Sequence, residues 1–182
     1  IENKYGLKYF AGCKEDHLGD WFSGIENYPN GGVVRTFSRK KLEKIFDACG
    51  VGERSFYYPY PDYKFMTTVY SDAYLPGRGE LSNNLRNFDR DRMLLFDEKS
   101  AFDGIVEEGL FSVFSNSYLA VIGKPLDLKY ARYSNDRAAS FRIRTEILRD
   151  DGGNRIVRKY PLTQEAEAHV RHMTEAYEKL KQ

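Results

Sequence analysis

Glu15, Asp16 and His17 form the local set in this chain able to do acid-base chemistry. An imidazole beside carboxylates has its charged form favoured and its tautomer fixed, which suits removal of a proton from a hydroxyl group. Adjacent side chains rarely aim at one target, so a solvated polar turn is the competing reading. A second candidate is the run Tyr58-Pro59-Tyr60-Pro61-Asp62-Tyr63-Lys64. Its prolines stiffen an extended segment, display the tyrosines at low entropic cost and leave Asp62 available to accept from hydroxyls. The run reads either as a sugar-facing wall or as an irregular loop packed into the core.

Other chemistries lack their motifs. The chain contains no GxGxxG, no Walker loop, no Gly-x-Ser-x-Gly, no His-Glu-x-x-His and no Cys-x-x-Cys. Gly77-Arg78-Gly79 lacks the strand and helix flanks that aim backbone amides at phosphate, and reads as a solvated turn. His17, His169 and His172 have no recognisable metal-ligand spacing. Cys13 and Cys49 are unpatterned; Cys49 falls on the apolar side of a predicted helix, which predicts a buried free thiol and a reducing cytoplasm.

These residues must be positioned by elements that the periodicity predicts. Residues 1–32 are rich in Gly, Asn and aromatics and read as a long structured loop. Ser38 caps a helix with the stripe Leu42, Ile45, Phe46 and Cys49, stopped by Gly50. Arg54 to Tyr58 is a strand candidate, and Pro59 and Pro61 argue against a central strand beyond it. Extended structure resumes over Met66 to Tyr70. Asp97 starts a second helix with the stripe Phe102, Ile105, Val106 and Leu110, and Asn116 to Ile122 reads as a short strand.

Further along, strands are expected over Lys129 to Tyr133, Phe141 to Leu148 and Arg155 to Tyr160. The last two are joined by an Asp-Asp-Gly-Gly-Asn hairpin turn and followed by a helix from Thr163. Ala166, Val170, Met173, Tyr177 and Leu180 give that helix one apolar stripe. The fold class is therefore α+β, with short, mostly antiparallel strands and three main helices.

The chain has 182 residues, of which 41% are hydrophobic and 30% charged, with 28 basic and 27 acidic side chains. This composition is globular and gives no electrostatic footprint for nucleic acid. No apolar run reaches the roughly 18 to 20 residues of a membrane span. Aromatics make up 15%, with fourteen tyrosines, which suit contacts to sugars or protein partners. Residues 1–123 carry 15 basic and 18 acidic side chains and residues 124–182 carry 13 and 9, so a module boundary is expected near 124. With Ile1 first and a helical pattern running into Gln182, the chain is expected to be a piece of a longer protein. Strand edges left open in such a piece favour pairing with a second copy as a homodimer.

Residues 1–12 (IENKYGLKYFAG), 15–19 (EDHLG), 34–42 (VRTFSRKKL), 57–64 (YYPYPDYK) and 114–119 (FSNSYL) carry a resemblance. Over residues 1–123 the chain resembles the C-terminal part of class I S-adenosylmethionine-dependent methyltransferase regions in bacterial cell-surface polysaccharide (lipopolysaccharide) biosynthesis proteins. The resemblance implies a partial methyltransferase-like sheet. Ile1 to Asn3 would end its fifth strand, Arg54 to Tyr58 would be the sixth and Asn116 to Ile122 the reversed seventh. It also implies His17 as catalytic base or orienter, and Glu15, Asp16, Tyr60, Asp62, Tyr63 and Asn116 as contacts to a sugar or glycan acceptor. S-adenosylmethionine would be held by a preceding half, so no cofactor binding and no activity are expected of this chain alone.

Residues 124–182 form an expected small hairpin-helix module with a weak similarity to the first lobe of kinase-like folds. That similarity rests on Lys159 and on a following helix bearing Glu165 and Glu167, without a glycine loop. A non-catalytic glycan- or partner-binding module remains the alternative for the whole chain.

Overall fold

The computed structural model describes residues 1–82, 95–150 and 152–181. Over these described residues it has the α+β architecture that the periodicity predicts, with a six-stranded antiparallel sheet and five helices, three of them of ten or more residues. In chain order the elements are α1 (Leu7–Phe10), α2 (Arg39–Ala48), β1 (Arg54–Tyr60), β2 (Thr68–Ser71), α3 (Glu98–Glu107), α4 (Phe111–Phe114), β3 (Leu119–Ile122), β4 (Leu128–Tyr133), β5 (Ile143–Arg149), β6 (Arg155–Pro161) and α5 (Glu165–Leu180). The strand order is β3-β1-β2-β4-β5-β6. The backbone divides into two compact units, Ile1–Met66 with Tyr70–Pro125, and Thr67–Val69 with Leu126–Gln182.

In the first unit the helix ends follow their capping chemistry. Ser38 accepts from the Lys41 amide to start α2, and Asp97 accepts from the Lys99 amide to start α3. Gly50, at φ 71°, takes the left-handed turn that leaves α2. Cys49 is exposed, contrary to the expectation of a buried thiol, because it is the C-cap of α2 and lies beyond the helix's last packed turn. The buried thiol is Cys13. Leu110 is likewise exposed, since α3 ends at Glu107 and Leu110 leads into α4.

β1 continues through Pro59 to Tyr60, further than the prolines led us to expect. The ladder with β3 runs from Arg54↔Ile122 to Tyr57↔Leu119, so the proline's missing N–H falls past the paired stretch. The core beside β1 is aromatic. Tyr58 meets Tyr118 and Phe111 edge-on at 6.0 and 5.8 Å, and Tyr60 meets Tyr70 and Phe102 at 6.4 and 6.0 Å. Such pairs contribute about 0.5–1.5 kcal/mol each beyond their area burial. Half of the tyrosines, seven of fourteen, are therefore an internal packing feature.

In the second unit β4, β5 and β6 form a meander. The β5–β6 register closes at Arg149↔Arg155, and Asp150 accepts from both the backbone and the side chain of Asn154 at 2.7 and 3.0 Å. Asp151 of that turn lies outside the described residues. β5 begins at Ile143 rather than Phe141, which belongs to a 3-10 turn over Ala139–Phe141 and is half exposed. α5 starts after Thr163, whose hydroxyl accepts from the Ala166 amide, and packs on β6 through Ala166. Its stripe loosens outward until Tyr177 and Leu180 are exposed. Among the described residues no helix is long and apolar enough to cross a membrane.

Candidate functional site

Two buried asparagines build the floor of a polar cluster in the first unit. Asn3 donates through Nδ2 to the carbonyls of Val113 and Ser115 at 2.6 and 2.7 Å, and its Oδ1 accepts from the Tyr5 amide at 3.0 Å. Asn116 accepts from the Lys8 amide at 2.9 Å and donates to the Pro61 carbonyl at 2.9 Å. The loop can approach this closely because residue 6 is glycine; a Cβ there would stand 3.0 Å from the Asn116 Cα. These contacts fix α1 against the chain around Pro61.

α1 then aims Lys8 inward. Its Nζ lies 2.9 Å from Glu2 Oε1 and 3.1 Å from Asp62 Oδ2, and Tyr9 donates to Glu2 Oε2 at 3.0 Å. Asp62 also caps the 3-10 turn Tyr63–Phe65 by accepting from the Lys64 amide at 3.1 Å. Lys64 in turn is paired with Asp16 and lies 3.7 Å from Glu2. Tyr63 is held through its amide on Ser117 Oγ at 3.0 Å, and its side chain is 46% exposed. The cluster thus grades from fully buried at Lys8 and Asp62 to an accessible lip at Asp16, Tyr63 and Lys64.

The electrostatics follow from this gradient. Burial raises the Asp62 carboxyl, opposed by Lys8 and the Lys64 amide. Lys8 loses hydration too, yet it faces two carboxylates, Asp62 and Glu2, and is raised on balance. Partial burial raises the Tyr63 phenol, with the Glu2 charge acting in the same direction.

The residues singled out from sequence part company here. Asp16, Asp62 and Tyr63 converge on the cluster, and Asn116 supports it from below. His17 is exposed and makes no hydrogen bond or ion pair among the described residues. Glu15 turns away from its neighbours. It is buried and accepts from Tyr28 at 3.0 Å and from Thr36 at 3.3 Å, and burial raises its pKa. Tyr60 is 3% exposed and donates to the Leu81 carbonyl at 2.6 Å, so it is a core residue rather than part of a displayed wall. Lys159 is exposed on β6 and pairs with neither Glu165 nor Glu167.

Sequence reasoning missed Lys8 and Glu2. The available signal was a lone charge within Leu7-Lys8-Tyr9-Phe10, an otherwise apolar run. It also missed Trp21, which is 49% exposed, with the Lys14 Nζ 3.9 Å from the ring centroid. Gly77 to Gly79 is a turn tied to α3 through the Gly79 amide on Asp103 at 2.8 Å. Among the described residues no group of three or more His, Cys, Asp or Glu side chains could hold a metal ion. Chemically, the lip can exchange protons and hydrogen-bond a hydroxyl-bearing ligand, whereas the floor serves to hold it in place. Comparison with protein-family models, with curated proteins and with solved structures finds no match to this chain.

Proposed function

We propose that this chain is the acceptor-side, C-terminal part of an S-adenosylmethionine-dependent methyltransferase that acts on a sugar hydroxyl in bacterial surface-polysaccharide assembly. The observation that carries the reading is the convergence of Asp16, Asp62 and Tyr63, from two separate loops, on one lip of the first unit. β3 runs antiparallel to β1, as a reversed last strand would, and Tyr118 exchanges both backbone hydrogen bonds with Ile1 at 2.7 and 2.9 Å.

The described residues do not fit the cofactor. The strand ladders are antiparallel, and the Gly77–Gly79 turn is engaged by Asp103 rather than opening a helix after a strand. In this reading S-adenosylmethionine is held by residues outside this chain. The chain's own part is to bind and orient the acceptor, much of whose reactivity comes from placement. Asp16 and Tyr63 accept from or donate to its hydroxyls, Lys64 holds Asp16 in position, and His17, exposed beside Asp16 and outside the cluster's hydrogen bonds, takes the proton only once the acceptor is bound.

The test uses the full-length protein. His17→Ala loses turnover and retains cofactor binding; unchanged turnover removes the role of His17. Calorimetry of the present chain with S-adenosylmethionine shows no saturable heat, and micromolar binding would overturn the assignment of the cofactor half.

A second reading, a non-catalytic glycan-binding module, is favoured by the half-exposed indole of Trp21. As the single tryptophan it reports directly: oligosaccharide titration that quenches its fluorescence supports this reading, and no change counts against it.

A further inference from the structure

Several cations of the first unit find an acid, Lys8 on Glu2 and Asp62 among them. Arg39 reaches Asp72 and Glu43, Arg54 reaches Asp47, Lys64 reaches Asp16 and Arg78 reaches Glu107. Lys4, Arg35 and Lys41 do not. They line a cavity of about 250 Å³ that has no acidic side chain in its wall. Lys4 donates to the neutral Asn27 Oδ1 at 2.9 Å and Arg35 to the Gly32 carbonyl at 3.3 Å, and among the described residues none of the three has a carboxylate partner.

The cavity has a fixed base. Lys4 and Arg35 both stand over the Tyr28 ring, with the Nζ and guanidinium carbon 5.9 and 5.2 Å from its centroid. Tyr28 is buried, and its hydroxyl accepts from the Thr36 amide at 2.6 Å. Asn27 and Tyr28 hold left-handed backbones at φ 64° and 59°, a conformation that costs non-glycine residues about 1–3 kcal/mol each and persists where the surroundings enforce it. Like charges gathered without an acid repel one another, and an anion relieves that repulsion.

We propose that this pocket binds a phosphoryl group. A single carboxylate would leave two of the three charges unopposed, whereas a phosphate monoester or diphosphate brings two or more negative charges and enough acceptor oxygens for all three side chains. The volume is below the roughly 300–1,000 Å³ of a site enclosing a drug-sized ligand, which suits one charged group rather than a whole nucleotide. Diphosphate and sugar phosphate both supply this chemistry. The inference is independent of methyl transfer, because binding needs no cofactor.

The test is isothermal titration of this chain at low ionic strength with inorganic pyrophosphate, with glucose 1-phosphate and with acetate. Saturable binding of a phosphoryl probe that weakens with added sodium chloride is expected, and acetate gives none. Whichever of pyrophosphate and glucose 1-phosphate binds tighter identifies the source of the group. Arg35→Ala and Lys41→Gln each weaken binding at least tenfold, Arg35→Lys retains most of it, and Lys40→Ala, one residue outside the cavity wall, leaves it unchanged. All three sites are exposed, and matched unfolding temperatures confirm the fold of each variant. No saturable binding, acetate binding as tight as phosphate, or equal weakening by Lys40→Ala overturns the proposal.

Discussion

Lys8 and Asp62, 54 residues apart in the chain, form an ion pair 3.1 Å long whose side chains are 1% and 0% exposed. The pair ties the N-terminal loop to the turn after β1 within the core. Removing one partner of such a pair leaves an uncompensated buried charge and costs about 3–5 kcal/mol. Urea unfolding of Lys8→Met should show a loss of that size, and Lys8→Met combined with Asp62→Leu should recover most of it. A loss under about 1 kcal/mol in the single variant would mean that the charge is not held as described.

The buried carboxyl of Glu15 sets a pH dependence of opposite sign to that of a salt-bridged surface acid. Burial raises its pKa above the usual 4.5, opposed by the Tyr28 and Thr36 hydrogen bonds, so the folded chain holds the proton at a pH where the unfolded chain has released it. Folding therefore takes up a proton in the interval above 4.5, and this group's contribution becomes more favourable as pH falls through it. Glu15→Gln should flatten the dependence of unfolding free energy on pH just above 4.5. An unaltered slope would place the carboxyl in water.

Gly24 tests the same contact by shape. A Cβ at this position would collide with Glu15 Oε1. Gly24→Ala should displace the carboxylate from Tyr28 and destabilise the chain by about 1–3 kcal/mol. Thermal unfolding of the variant alone and combined with Glu15→Ala should show the double variant recovering part of the loss.

Tyr9, Tyr58, Tyr60 and Tyr118 all have phenols raised above 10, chiefly by burial. The unfolded chain ionises these groups near pH 10 and the folded chain does not, so their contribution is intact below pH 10 and is lost as pH rises beyond it. Tyrosinate absorbance should rise in two stages, exposed residues first and these four together with the loss of helical circular dichroism. A single smooth titration with the fold intact would contradict their burial.

Asp16 and Lys64 separate stability from function. Their side chains are 21% and 26% exposed, and a pair this open contributes about 0–1 kcal/mol. Asp16→Asn should leave the unfolding temperature of this chain nearly unchanged while raising the acceptor KM of the full-length protein. An unchanged KM would remove Asp16 from the acceptor site.

Local chemistry made much of the fold legible. Ser38, Asp97 and Gly50 mark helix ends because capping is decided within four residues, and Asp150 to Asn154 close a hairpin for the same reason. The failures share a cause. The missing N–H of Pro59 does not reveal that β3 stops opposite Tyr57, and the place of Cys49 in a stripe does not reveal that α2 ends first. Of the candidate site, residue types pointed to Asp16, Asp62 and Tyr63.

By itself the sequence determined the α+β class, the capped helices and the supply of aromatic and charged groups, since periodicity and capping are short-range properties. Only the tertiary structure decided which of those groups meet water. Tyr60 entered the core while Tyr63, three residues on, stayed at the surface, and Lys8 found its two carboxylates at separations of 6 and 54 residues. Burial and long-range pairing depend on how distant segments pack, and no local pattern records them.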